Sequence, residues 1–215
     1  AHLLPHLNWA GREGEITPVQ LYTSGDEAEL FLNGGSLGRK KKGAGEYRLW
    51  WDDVTYAPGE LKAVVYRHGQ PWAEDVRRTT GPATAIQLAP DRAALRADGR
   101  DLSFITVKIV DARGEVVPTA ANLVRFSVRG PAEIAGVDNG DAASFLSLQG
   151  SEMKAFSGLC LVILRPRAGE SGPIELTAQA EGLPVARVQV TAGAAARVGQ
   201  TWFDGGDLSA LAKIE

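Results

Sequence analysis

Apolar and polar residues alternate along this chain with a period of two, not the 3.6 of an amphipathic helix. Over residues 27–33, Ala28, Leu30 and Leu32 fall on one side and Glu27 and Glu29 on the other. That is the pattern of a half-buried strand, whose successive side chains point to opposite faces. Asn33-Gly34-Gly35 follows, supplying the positive φ that a tight hairpin turn needs. Residues 46–52 alternate again, and Ala57-Pro58-Gly59 turns the chain. Leu61, Ala63 and Val65 form the inward set of the next strand, closed by His68-Gly69-Gln70-Pro71. A further strand is predicted over 72–79.

A second series begins after Thr80-Gly81-Pro82-Ala83. Ala85 to Leu88 starts it; Ile105, Val107 and Ile109 share a face, and Asp111-Ala112-Arg113-Gly114 makes a turn. Val124, Phe126 and Val128 point inward from the next strand. Residues 158–164 are continuously apolar, which predicts a central strand covered on both faces or lying at a domain seam. Ile174, Leu176, Ala178 and Ala180 alternate with Glu175, Thr177, Gln179 and Glu181, and 185–190 ends the series. Strands this short, separated by turn signals, predict an all-β protein with two immunoglobulin-like antiparallel β-sandwich domains in tandem. The expected boundaries are a junction over 1–11, a first sandwich over 12–80, a second over 84–192, and a linker or tail over 193–215, with a short helix over 208–214. No capped amphipathic stretch between 12 and 192 supports a βα alternation, so a TIM barrel or Rossmann sheet is not encoded there.

Composition narrows the classes. With 215 residues there is room for two small domains, and 25 glycines and 11 prolines fit many turns. A net charge of -3 offers no general attraction for nucleic acid or an anionic membrane surface. No apolar run approaches the ~20 residues that span a bilayer. The single cysteine, Cys160, can form neither an intrachain disulfide nor a cysteine metal cluster.

The run from Leu21 to Gly38, with Glu29-Leu30-Phe31-Leu32-Asn33-Gly34 at its centre, resembles a strand and turn of one family. It is similar to the domain following the catalytic barrel in bacterial family 2 glycoside hydrolases of the β-galactosidase type. Tyr56-Ala57-Pro58-Gly59-Glu60-Leu61 agrees as well. The second half resembles the immunoglobulin-like domain next in those enzymes, through Ala97-Asp98-Gly99-Arg100-Asp101, Val110-Asp111-Ala112-Arg113-Gly114, Gly136-Val137-Asp138-Asn139-Gly140-Asp141 and Lys154-Ala155-Phe156-Ser157-Gly158. The resemblance covers about residues 2–191. The family has an aromatic residue where Leu7 stands and a lysine where Gly35 stands. Leu3 to Trp9 looks like the end of the barrel, so the barrel and its two catalytic glutamates are expected upstream of Ala1. Such glutamates stand ~5–5.5 Å apart in a retaining glycosidase, and none here matches their motifs. The resemblance therefore implies a non-catalytic accessory region, no cofactor, the upstream barrel as partner, and a periplasmic or secreted bacterial home.

Two places could still bind a ligand. Alternation puts Tyr47, Leu49 and Trp51 on one face and Glu46, Arg48, Trp50 and Asp52 on the other. Trp51 then belongs to the core, and Trp50, flanked by Arg48 and Asp52, could be a flat platform for a sugar or could pack against another domain. Asp138, Asn139 and Asp141 are rich in oxygen ligands and could hold calcium, although Asx and glycine residues make the same turn for backbone reasons. His2, His6 and His68 lack metal-ligand spacing, and no nucleophile elbow is present. Arg39-Lys40-Lys41-Lys42 reads as a solvated loop after a hairpin rather than a phosphate site. Three functions compete: an accessory region of a glycoside hydrolase, which could shape a homo-oligomer; a carbohydrate-binding module anchored on Trp50; and adhesin-like immunoglobulin domains, against which the unlike motifs of the two halves argue.

Overall fold

The computed structural model describes residues 1–193. The helix expected over 208–214 and Trp202 lie outside the described residues. The first half contains β1 (His2–Leu4), β2 (Val19–Tyr22), β3 (Glu27–Leu32), β4 (Gly35–Lys41), β5 (Arg48–Trp51), β6 (Glu60–Arg67) and β7 (Gln70–Arg78). The second contains β8 (Ala85–Pro90), β9 (Ala94–Arg96), β10 (Ser103–Val110), β11 (Leu123–Arg129), β12 (Ala132–Asp138), β13 (Glu152–Lys154), β14 (Leu159–Pro166), β15 (Gly172–Gln179) and β16 (Ala186–Gly193). No helix occurs among the described residues.

In the first half a three-stranded sheet, β1-β2-β5, faces a four-stranded one, β4-β3-β6-β7. Between them lies a closed apolar core containing Leu3, Leu21, Leu30, Leu49, Trp51, Leu61 and Val65. The period-two pattern explains it, since each of these residues takes the inward position of its strand. Residues 1–11, expected as a junction, are part of this body: β1 pairs with β2, and Leu3 and Leu7 are buried in the core. The turn between β3 and β4 places Asn33 at φ 51° and Gly34 at 81°, the two positive values of a type I′ hairpin.

The basic run is not a loop. Arg39, Lys40 and Lys41 lie in β4, which pairs with β3 in register Glu27↔Lys41 and Glu29↔Arg39. Every residue of β4 is exposed, so no buried alternation marks it in the sequence. Its side chains act through their polar ends and stems instead. Arg39 pairs with Glu27 at 2.8 Å and lies 3.7 Å over the Tyr66 ring, and Lys40 donates to the Trp50 carbonyl at 2.6 Å. Cationic side chains along an edge strand also discourage another chain from pairing there.

The second half is a larger sandwich. Sheet β12-β14-β10-β8 faces sheet β13-β11-β15-β16-β9 around Ile105, Val107, Val124, Phe126, Val162, Leu164, Ile174 and Leu176. The chain leaves the first sheet after β8 and adds β9 to the second, parallel to β16. The apolar run 158–164 is the body of β14, central between β12 and β10. Only one of its faces is covered: Cys160, Val162 and Leu164 are buried, while Leu161 and Ile163 are partly exposed and Leu159 is exposed. Its all-apolar character therefore reflects an open outer face within this chain, not burial on both sides.

The two bodies meet at residues 78–84. Arg78 donates to Glu60 of the first sandwich at 2.9 Å and to Glu115 of the second at 3.0 Å. Arg113 donates to the Thr79 carbonyl. The buried Asp111 carboxylate accepts from Gly81 N at 2.9 Å, and from Arg113 N and Glu115 N at 2.9 and 3.0 Å. One side chain thus ties the linker to the β10 turn, and the three amides hold its carboxyl below the usual carboxylate range, the Gly81 bond foremost.

Candidate functional site

The outward face of β1-β2-β5 gathers aromatic and cationic side chains. The register aligns His2 with Tyr22 and Tyr22 with Arg48 in one row, and Leu4 with Gln20 and Gln20 with Trp50 in the next. These six are the outward members of strands whose intervening residues, Leu3, Val19, Leu21, Leu49 and Trp51, are core. Trp51 is 1% exposed and Trp50 is 38% exposed, so adjacent tryptophans separate as the alternation requires. Tyr47 does not follow its parity. It stands just before β5, 63% exposed, because the strand begins only at Arg48 and the pleat no longer fixes its direction.

Tyr47 instead turns toward the outer face. Its ring centroid lies 5.9 Å from that of Tyr22. The Arg48 guanidinium sits 4.4 Å from the Trp50 ring, 5.8 Å from Tyr22 and 5.7 Å from Tyr47, and donates to the Tyr22 hydroxyl at 2.9 Å. Three rings thus surround one cation, a favourable arrangement of guanidinium against π faces. Asp52, grouped with them by parity, lies past the end of β5 and exposed. The described structure gives it no hydrogen bond or ion pair to this set. The site is Arg48 and Trp50 with Tyr22, Tyr47 and Gln20. Tyr22 and Gln20 become visible only when the β2–β5 register is known, and Tyr47 only when the start of β5 is known.

Asp138, Asn139 and Asp141 come together in a turn at the end of β12. Asp138 Oδ1 accepts from Asn139 N and Gly140 N at 2.7 and 3.1 Å. Asn139 Oδ1 accepts from Asp141 N at 2.9 Å, and Asp141 Oδ1 from Ala143 N at 2.9 Å. Asn139 Nδ2 donates to the Lys154 carbonyl at 2.9 Å. Each side chain thus directs an oxygen to its own backbone, the geometry of successive Asx turns. Among the described residues no group of three or more His, Cys, Asp or Glu is placed to hold a metal.

The histidines are separate. His6 stacks on Trp9 at 4.4 Å and its carbonyl accepts from Trp9 Nε1 at 2.9 Å; partial burial lowers its pKa. His68 occupies the β6–β7 turn near Asp26, and His2 lies beside Arg77. Cys160 is buried and its thiol is pushed up to about 12 by that burial, so it is neither ligand nor nucleophile at neutral pH.

Two antiparallel sandwiches in series, with structured turns and an outward cluster of aromatic rings, define an all-β sandwich protein. Residues 86–189 match the family described as glycoside hydrolase family 2 C-terminal domain 5, and residues 14–73 match a domain of unknown function, DUF4982. The chain is 41% identical over 191 residues to beta-galactosidase BoGH2A of Bacteroides ovatus, spanning 89% of this chain and 22% of that protein. It is 33% identical over 173 residues to a putative beta-glucuronidase of Formosa agariphila, spanning 76% of this chain and 16% of the relative. Among solved structures, a glycosyl hydrolase family 2 member from Bacteroides cellulosilyticus aligns with TM-score 0.80 at 38% identity, over 88% of this chain and 24% of that one. A beta-glycosidase from Bacteroides vulgatus aligns with TM-score 0.82 at 34% identity, over 89% and 24%. The chain belongs to the C-terminal accessory region of glycoside hydrolase family 2, and it spans about a quarter or less of the length of these relatives.

Proposed function

We propose that this chain is a non-catalytic spacer and buttress of a β-galactosidase-type family 2 glycoside hydrolase, working beside a catalytic barrel in the same polypeptide. The observation that carries the reading is the match of residues 86–189 to a glycoside hydrolase family 2 C-terminal domain, in a chain that spans 22% of beta-galactosidase BoGH2A. A glycosidase needs one carboxyl kept protonated near neutral pH to act as general acid. Here Asp26, Asp98, Asp101 and Asp111 all shift the other way, each held anionic chiefly by backbone amides, from His68, Arg100, Arg96 and Gly81 respectively. Asp91 is lowered too, although burial opposes the shift. These carboxylates organise turns and the joint between sandwiches, as a spacer requires.

The names of the relatives support a galactoside or glucuronide as the parent's substrate. A buried, unreactive Cys160 is compatible with the periplasmic or secreted location proposed for the parent. The test is turnover. A purified chain should release no chromophore from aryl β-galactosides or β-glucuronides above a buffer blank. Release that copurifies with the chain through two separate chromatographic steps overturns the reading.

A further inference from the structure

We propose that the outward face of β1-β2-β5 is a glycan-holding surface that takes chains of β-linked, equatorially substituted pyranoses. The inference rests on the reading of the chain as part of a glycoside hydrolase, and adds to it a binding site with Trp50 as platform and Arg48 as hydrogen-bond donor.

Four observations carry it. The six outward side chains, His2, Leu4, Gln20, Tyr22, Arg48 and Trp50, include no carboxylate, and Arg48 has no carboxylate partner among the described residues. Its guanidinium is engaged only by the Tyr22 hydroxyl and by ring faces among the described residues, leaving its other N–H groups without a protein acceptor. Second, the surface is amphipathic in the way a pyranose is. A sugar of this class presents axial C–H groups to an aromatic face and equatorial hydroxyls to the polar groups beside it, here Arg48, 4.4 Å from the Trp50 ring, and Gln20, the cross-strand partner of Trp50 on the central strand β2.

Third, side chains engage backbone groups at both edges of the sheet. On the β1 side Asp75 Oδ2 accepts from Leu3 N at 2.7 Å and Arg77 Nε donates to the Leu3 carbonyl at 3.2 Å. On the β5 side Lys40 holds the Trp50 carbonyl. Each contact takes up a backbone group that an added strand would need, which favours the face over the edges as the binding feature. Fourth, the face is small. Six side chains and Tyr47 fall far short of the ~20–30 residues a side of a stable protein–protein interface, whereas two or three sugar rings would cover them.

The experiment uses the whole chain in native gels cast with a mixed-linkage β-glucan or with glucuronoxylan. Retardation relative to a polysaccharide-free gel is expected in at least one. Trp50→Ala should weaken it about tenfold or more, the equivalent of ~1.4 kcal/mol, and Trp50→Tyr should retain most of it. Trp72→Ala is the control, since Trp72 is also exposed and stacked by an arginine, Arg67, but lies on β7. An independent readout needs no variant: on titration with the corresponding oligosaccharides, the Trp50 indole N–H resonance should shift while those of Trp51 and Trp72 stay. Normal mobility in both gels, an effect of Trp72→Ala as large as that of Trp50→Ala, or an unmoved Trp50 indole signal each overturns the proposal. None of these outcomes bears on turnover, so the spacer reading stands or falls separately.

Discussion

The two cores share no residue, and this makes their independence measurable. Leu30 and Leu176 are each fully buried, one in each core. Truncating either to alanine should cost its own sandwich ~3 kcal/mol, within the usual ~2–5 for a buried leucine. For a domain of this size a urea dependence of ~1 kcal/mol/M converts that loss into a midpoint shift of roughly 2–3 M. The joint transmits little of it. Arg78, Glu60 and Glu115 are all about two-fifths exposed, and pairs in that setting couple by ~1 kcal/mol or less. The chain carries a natural probe, because Trp9, Trp50, Trp51 and Trp72 all lie in the first sandwich and the second has no tryptophan over 84–192. In a Trp202→Phe background, intrinsic fluorescence therefore follows the first sandwich, while far-ultraviolet circular dichroism follows both. Leu30→Ala should shift the fluorescence midpoint by roughly 2–3 M. Leu176→Ala should leave it within ~1 M of the parent while lowering the midpoint of the remaining dichroism transition. A fluorescence midpoint that moves as far in Leu176→Ala as in Leu30→Ala would show one cooperative unit, and the argument from separate cores would fail.

Other outcomes follow from single groups. Asp111 has a folded pKa below its ordinary 3.8, so its contribution is fully present above that value and is lost as pH falls through the lower, folded one. Acid should loosen the joint only below about pH 3.8, read as faster amide exchange at Gly81, and Asp111→Asn should show that exchange already at neutral pH. Gly130 has φ 100°, and a Cβ there would collide with the Pro173 carbonyl and come within 3.1 Å of Ile174 Cα. Gly130→Ala should destabilise the second sandwich by at least ~2 kcal/mol without shifting tryptophan fluorescence. Cys160 should resist an aromatic disulfide reagent near neutral pH and react fully in concentrated urea, because burial holds it as the thiol.

What the sequence disclosed, and what it withheld, has a physical boundary. Alternation reveals a strand when one face is buried and the other wet. β3, β6, β10, β11 and β15 meet that condition, and their inward sets were legible as written. β4 has no buried residue, and β9 and β13 are three residues long with one buried each, so periodicity contains nothing to detect. β14 breaks the rule from the other side, since its outer residues are apolar although that face is not covered. The separation of Trp50 from Trp51 needed only parity. The partners of Trp50 needed register, which depends on residues more than 25 positions apart, as Gln20↔Trp50 illustrates.

That distinction decides how the aromatic face should be weighed. Parity put Glu46, Arg48, Trp50 and Asp52 on one face, and Arg48, Trp50 and Asp52 formed the group expected to hold a sugar. The fold removes Asp52 by ending β5 at Trp51 and brings in Tyr22, Tyr47 and Gln20 through β2 and the strand entry. An Arg48–Asp52 pair would have satisfied the guanidinium internally and left an ordinary solvated surface. With the carboxylate gone, the cation is held only by rings and one hydroxyl, an arrangement that retains unused donors beside an exposed indole. If Asp52 did approach Arg48 in solution, Asp52→Asn would strengthen glycan retention in the gel. The geometry instead requires Asp52→Asn to leave retention unchanged while Arg48→Ala abolishes most of it, and that contrast tests the site at the residue where sequence and structure part.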